Sequence, residues 1–329
     1  MQHLRLLNST RNFPAGWLLL AALLLLPLGM GPYGISFMTQ VIIFAVFAMS
    51  LDLLIGYSGL MSFNHATFFG VGAYTVAILL SHNLENFWIT LLAGTCIPML
   101  LAALLGFIVL RSSGSYFLLI TLAFNQMVFA VAWKWRALTG GDDGLSGIQR
   151  PDFGHLSMWN HDYFYYLVLL ISLLAVLFIW KLVTSSFGKS LVGIRESESR
   201  MQALGYNTVA IKWLIYVLAG GLAGLAGILY VYFNGFISPL ELNWTMSGLV
   251  ILMVIIGGPG TLGGPILGAA IILFLQQMVS SYTEHWPMVM GIIFVICVLY
   301  TNEGVWGLLR KYGKKVRASY ESVGDQEPE

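Results

Sequence analysis

Charge is scarce in this chain: 9% of its 329 residues are Asp, Glu, Lys or Arg and 58% are hydrophobic, whereas roughly a quarter of a soluble domain is charged. That composition excludes a soluble enzyme. Nor does one sign dominate, because 16 Lys and Arg against 15 Asp and Glu leave a formal charge of +1. Acidic residues gather only at Asp142 and Asp143, at Glu196 and Glu198, and in the last few positions. Without a basic stripe to track phosphates, nucleic-acid binding is set aside. Cysteine is nearly absent too. Cys96 and Cys297 each fall in an apolar run with no partner at metal spacing, so they read as small core hydrophobes and leave the redox compartment undecided. There is no H-E-x-x-H, and His155 and His161 lie in a loop without a spaced carboxylate set, so a membrane enzyme has no support.

What the chain has in place of charge is apolar length. About 18 or more apolar residues are needed to cross ~30 Å of hydrocarbon. Ten stretches qualify or nearly do: 17–30, 37–56, 62–80, 89–110, 115–133, 163–181, 213–233, 247–257, 261–279 and 287–302, with 247–257 too short alone. The fold class expected is an all-α, polytopic membrane helix bundle of about eight to ten transmembrane segments, some broken or short. If all ten cross from a cytoplasmic N-terminus, 13 of the 16 basic residues fall inside, leaving Lys134, Arg136 and Arg150 in one external loop. A re-entrant 247–257 would export the basic tail at 310–317, so an even number of crossings is preferred. Arg5 and Arg11 precede 17–30 as in a signal peptide, yet no A-x-A-like site follows, and the segment reads as an uncleaved first helix. The organisation expected is therefore a cytoplasmic N-terminus (1–16), a transmembrane domain (17–302) with an external loop at 134–162 and a cytoplasmic loop at 182–212, and a cytoplasmic tail (303–329) whose end lacks apolar periodicity.

Ion-driven carriers place ionisable groups deep in their helices despite the cost. Here only Asp52 and His65, near helix ends, qualify, and interfacial capping explains both more simply. Nucleotide motifs fail as well: Phe187-Gly188-Lys189-Ser190 ends like a P-loop, but Val183 occupies the position of its first glycine. Gly258-Pro259-Gly260-Thr261-Leu262-Gly263 spells G-x-G-x-x-G without a βαβ context. Any ATPase must then be a separate chain. Two glycine clusters, Gly56-Tyr57-Ser58-Gly59 followed by Gly70 and Gly72, and Gly257-Gly258-Pro259-Gly260 with Gly263, Gly264 and Gly268, are expected to break helices; paired breaks of this kind point to a substrate path. A third run, Gly220 to Gly227, has small-xxx-small spacing and reads as close helix packing. Asn64, Asn125, Gln126, Gln276 and Gln277 sit in or near apolar helices without charge partners. Interhelical hydrogen bonding is their simplest role, and a path lined by them, with Tyr57 and His65, suits a neutral or zwitterionic solute.

Residues 187–207 read FGKSLVGIRESESRMQALGYN. Ile194, Met201 and Leu204 fall at helical spacing, Arg195, Glu196, Glu198 and Arg200 put charge on other faces, and Gly205 marks a stop. A short amphipathic cytoplasmic helix is expected, its apolar face favouring a docked partner over a loop that serves topology alone.

This loop, together with LIGYSGLMSFNHATFFGVGAY (54–74), TGGDDGLSGI (139–148) and GGPGTLGGP (257–265), resembles the branched-chain amino acid permease subunits of bacterial ABC importers, LivM-type in particular, over about 40–305. Urea and short-amide permeases are close relatives. The resemblance implies a pore-forming half that pairs with a second homologous permease, two cytoplasmic ATPases that carry ATP and Mg, and a periplasmic solute-binding protein, with no cofactor on this chain. It also implies that 194–205 is the helix coupling to the ATPase, Glu198, Ala203 and Gly205 being similar to the importers' Glu-Ala-Ala…Gly pattern. Met201 and Gln202 depart from that pattern, and Phe63-Asn64 stands where the family more often has Leu-Gly before the histidine.

Overall fold

The computed structural model describes residues 23–27, 29–151 and 158–282, together with 285, 288, 289, 291, 292, 295 and 304–307. The expected segments 17–30 and 287–302, the N-terminus 1–16 and most of the tail lie largely outside the described residues. Within them the chain is a bundle of helices, numbered here α1 to α10. They are α1 Pro32–Asp52, α2 His65–Ser81, α3 Phe87–Val109, α4 Ser115–Lys134, α5 His161–Thr184, α6 Ser186–Glu196, α7 Glu198–Ala203, α8 Thr208–Asn234, α9 Trp244–Gly257 and α10 Gly264–Ser280. Five are long and apolar enough to cross a membrane, α1 being extended by a π-helical stretch to Ser58, and α2, α9 and α10 are shorter apolar helices. These eight coincide with the eight central stretches expected from the sequence, and the polytopic all-α membrane bundle is the fold observed.

Local chemistry starts the helices where the pattern requires. Side chains of Asn86, Asn160, Ser185, Ser197, Asn207 and Asn243 accept from backbone N–H groups of the first turns they precede. Proline opens α1 and α10, where a missing N–H is no loss.

The helices alternate between two ends. At one, which carries Lys189, Arg195, Arg200 and Lys212, the end of α1, the α6–α7 segment and the α9–α10 turn come together. At the other, β1 (Leu145–Ser146), from the loop after α4, pairs antiparallel with β2 (Phe236–Ile237), from the loop after α8. Helix α9 thus runs from the β-ribbon end to the basic end and is not a hairpin returning to its origin. Residues 304–307 lie back at the basic end: a Cβ on Gly304 would sit 2.5 Å from Gly258 Cα, and one on Gly263 would sit 2.4 Å from the Trp306 ring.

Helix α8 is the centre of the bundle, packed between α2 and α3. A Cβ on Gly227 would lie 1.9 Å from Phe69 O, one on Gly224 2.6 Å from Pro98 Cγ, and one on Gly72 2.4 Å from Gly224 O. Small residues let these backbones touch, as the Gly220–Gly227 spacing predicts, and in lipid such packing replaces the hydrophobic effect as the cohesive force. The outward faces stay apolar. On α3 the stripe Trp88, Leu92, Leu100 and Leu104 is exposed. Cys96 belongs to that stripe and is exposed, which corrects its reading as a core residue: in a membrane helix both faces are apolar, so hydrophobicity does not mark the inner one. Cys297 lies outside the described residues.

Replacing Gly227 with Leu forces α8 away from α2. The expected outcome is loss of monodisperse protein when a fluorescent fusion is run through size exclusion in mild detergent, while Leu92→Ala on the outer stripe elutes like wild type.

Candidate functional site

Two places in the bundle hold polar groups that regular helix does not account for: the basic end and the start of α2. At the basic end, α1 loosens into the π-helical turn Leu53–Ser58 and stops at Gly59, whose φ of 74° favours glycine. The last carbonyls of any helix lack intrahelical donors, and that of Gly56 accepts from the Arg195 guanidinium on α6. Asp52, 2% exposed, accepts from the backbone N–H of Gly260 in the α9–α10 turn at 2.8 Å. The turn itself is tight. Gly258 and Gly260 have φ of 115° and 74°, and a Cβ on Gly257 would sit 2.0 Å from Gly264 O. The helix breaks expected at the two glycine clusters are present, and they touch: a Cβ on Gly56 would lie 2.1 Å from both Asp52 Oδ1 and Gly260 N. Tyr57, in the π turn, is buried.

The segment expected as one amphipathic helix is two. Ser197 is extended (φ −162°, ψ 100°) and caps α7, so α6 ends at Glu196. Ile194 is buried against the bundle, Met201 packs over Gly193, and Gly205, at φ 86°, follows the helix as a stop. Glu198 forms an ion pair of 2.5 Å with Lys212 at the base of α8. Glu196, Arg200 and Ala203 are exposed, as is Leu204 at 68%, next to an exposed Tyr206. The apolar residues of this segment therefore divide: Leu191 and Ile194 anchor it, and Leu204 with Tyr206 faces outward.

The second place is the start of α2. Asn64, His65 and Asn125 have no exposed surface. His65 Nε2 is 2.7 Å from Ser50 Oγ, and the ring stacks on Phe47. Asn64 donates to Tyr216 OH at 3.3 Å, and Asn125 donates to Thr67 Oγ1 and to Leu242 O, both at 2.9 Å. The N–H groups around this start find hydroxyls: Phe63 donates to Thr121, Asn64 to Ser62 and Ala66 to Ser247. Interhelical bonding is thus what Asn64 and Asn125 do in this structure. Unpartnered buried atoms remain at Asn64 Oδ1, His65 Nδ1, Asn125 Oδ1 and Gln126 Nε2. The structure brings Tyr57, Gly257, Gly258 and Gly260 together at the basic end and places Asn64, His65 and Asn125 around the start of α2, with Gln126 next to Asn125 on α4. Asp52 was legible only as a helix-end charge; its acceptor role toward Gly260, 208 residues away, carried no local signal.

Over residues 34–298 the chain matches the family described as the permease component of the branched-chain amino acid transport system, and it belongs to that family. It is 27% identical over 301 residues to the LivM permease protein of the high-affinity branched-chain amino acid transport system of Salmonella typhimurium, covering 83% of this chain and 69% of that one. Identity to the probable LivM of Methanocaldococcus jannaschii is 25%, over 83% and 89% of the two chains. To the LivH permease protein of Escherichia coli K12 it is 22%, over 80% and 91%. No solved structure matches the chain. It is a multi-pass permease.

Asn125 and Gln126 separate bonding from mere polarity. Asn125→Leu removes two interhelical donors, costing about 1–2 kcal/mol in a membrane interior, and is expected to lower the melting temperature in detergent. Gln126→Leu removes a donor that has no partner, and the melting temperature is expected to hold or rise.

Proposed function

We propose that this chain is the pore-forming permease subunit of an ATP-driven importer that moves branched-chain amino acids across the bacterial inner membrane by alternating access. The observation that carries the reading is the basic end, where the segment resembling an ATPase-coupling helix contacts both helix breaks of a chain belonging to this permease family. The partners are a second homologous permease, two cytoplasmic ATPases that bind and hydrolyse ATP with Mg, and a periplasmic solute-binding protein; this chain is a transport subunit and not an enzyme. The segment 194–205 is the docking element. Its exposed Leu204 and Ala203, with the neighbouring Tyr206, offer an apolar contact at an end rich in Lys and Arg, and Glu196 and Arg200 supply charge around it.

ATPase closure pushes the docking element, and the two permeases tilt between inward- and outward-open forms around the passage. Tyr57, Gly257, Gly258 and Gly260 bracket that passage at the cytoplasmic end. Asn64, His65, Asn125 and Gln126 supply its polar lining as the helices part, and uncharged amides and an imidazole suit a zwitterion that carries no net charge. Of the two groups an ion-coupled carrier would need, Asp52 already accepts from a backbone N–H and His65 is engaged with Ser50, which favours an external energy source.

Three outcomes are expected. Purification from the native host brings down an ATPase and a second permease in stoichiometric amounts, and vesicles holding the assembly take up leucine only with ATP inside and binding protein outside. A chain recovered alone that transports on a proton gradient would overturn the reading. Leu204→Asp, at an exposed position just past α7, leaves folding intact and reduces ATPase recovery about tenfold or more, the loss of a buried apolar contact. Finally, with the native cysteines replaced, a cysteine at Ser199 reacts with an impermeant maleimide only from the cytoplasmic side and one at Gly147 only from the periplasmic side.

A further inference from the structure

The contacts at the basic end join three segments distant in sequence. Arg195 comes from α6, Asp52 and Gly56 from the end of α1, and Gly260 from the turn between α9 and α10. Arg195 touches more than the Gly56 carbonyl: a Cβ on Gly59 would lie 3.0 Å from its Cγ, and a Cβ on Gly260 would lie 3.2 Å from its Nη1. The same Cβ on Gly260 would be 3.0 Å from Gly56 O. One arginine thus lies against both breaks, and one carboxyl group, at the Gly56–Gly260 contact, holds the second break to the first. Asp52 and Arg195 form no ion pair; the described residues contain that of Glu198 with Lys212. Each charge instead engages a backbone group of a glycine whose position leaves no room for a side chain.

Resting on the importer reading above, we propose that Arg195 and Asp52 are positioning residues that clamp the two helix breaks to the docking element, so that a displacement of α6 moves the end of α1 and the α9–α10 turn as one unit. The glycines make the clamp possible because they let the backbones meet. The two side chains make it stiff, because a hydrogen bond held away from water is electrostatically stronger than one exposed to it. Glu198 and Lys212 hold the start of α7 to α8, so the α6–α7 junction is braced on the bundle at two points. Loss of the clamp leaves the docking element attached and the breaks free to move independently.

The test uses the whole assembly in vesicles and reads ATP hydrolysed per leucine moved, per assembled complex. Asp52→Asn keeps an oxygen for the Gly260 N–H and is expected to stay near the wild-type ratio, whereas Asp52→Ala is expected to raise it about tenfold. Arg195→Ala is expected to do the same, with Arg195→Lys, which retains a charged donor, recovering part of the loss. Arg195 is partly exposed, unlike the buried Asp52, so its variants keep the test open if Asp52→Ala does not assemble. Lower yield with a wild-type ratio in the complexes that do form would mean a purely structural role and would overturn the clamp. A ratio for Arg195→Ala equal to wild type would do likewise. If the wild-type assembly itself shows no ATP-driven uptake, the importer reading falls and the clamp with it; if wild type transports and the variants keep its ratio, the clamp alone falls.

Discussion

Backbone groups released from a helix inside hydrocarbon have no water to turn to, and the rest of this structure follows from how those groups are satisfied. Helix α1 cannot simply end at its glycines, and α2 cannot simply begin among them. The carbonyl of Gly56 takes the Arg195 guanidinium, and the N–H of Gly260 takes the Asp52 carboxylate. Around the start of α2 the donors go to Thr121, Ser62 and Ser247. Apart from the local bond to Ser62, each solution draws on a different helix, so satisfying the breaks also fixes where α4, α6, α9 and the α9–α10 turn lie.

Close approach makes those solutions reachable. With glycine at 72, 224 and 227, α8 sits directly against α2 and α3, which brings Tyr216 within reach of Asn64. Larger residues there would add about an atom's width between backbones and put the amide beyond hydrogen-bond distance. Breaks and packing are therefore one design. Small residues allow contact, and contact supplies the partners that broken backbone requires.

Among the described residues, the ionisable side chains bonded to the breaks, Asp52 and Arg195, are those at the basic end. Deeper in the bundle, Asn64, His65 and Asn125 present amides and an imidazole. The α6–α7 segment is anchored by Ile194 and by the Glu198–Lys212 pair and turns Leu204 outward. Force applied at that segment reaches the breaks through a few bonds.

Length and periodicity were enough to identify eight of the membrane helices, because the need for about twenty apolar residues per crossing is a local property of the chain. The glycine runs foretold both the breaks and the α8 packing, since each depends on the absence of a side chain at that residue. The helical character of 194–205 was legible too, except for its division at Ser197, which depends on that one residue's extended backbone. Cys96 was misplaced because a helix with apolar residues on every face carries no mark of which side meets lipid. Asp52 could be seen as a lone charge near a helix end, but its partner is the N–H of Gly260, and no pattern along the chain joins positions 208 residues apart. The sequence by itself determined the helices, their interruptions and the family to which the chain belongs. Only the tertiary structure decided which interruptions meet and which charge closes each, because those partners are chosen by packing across the bundle.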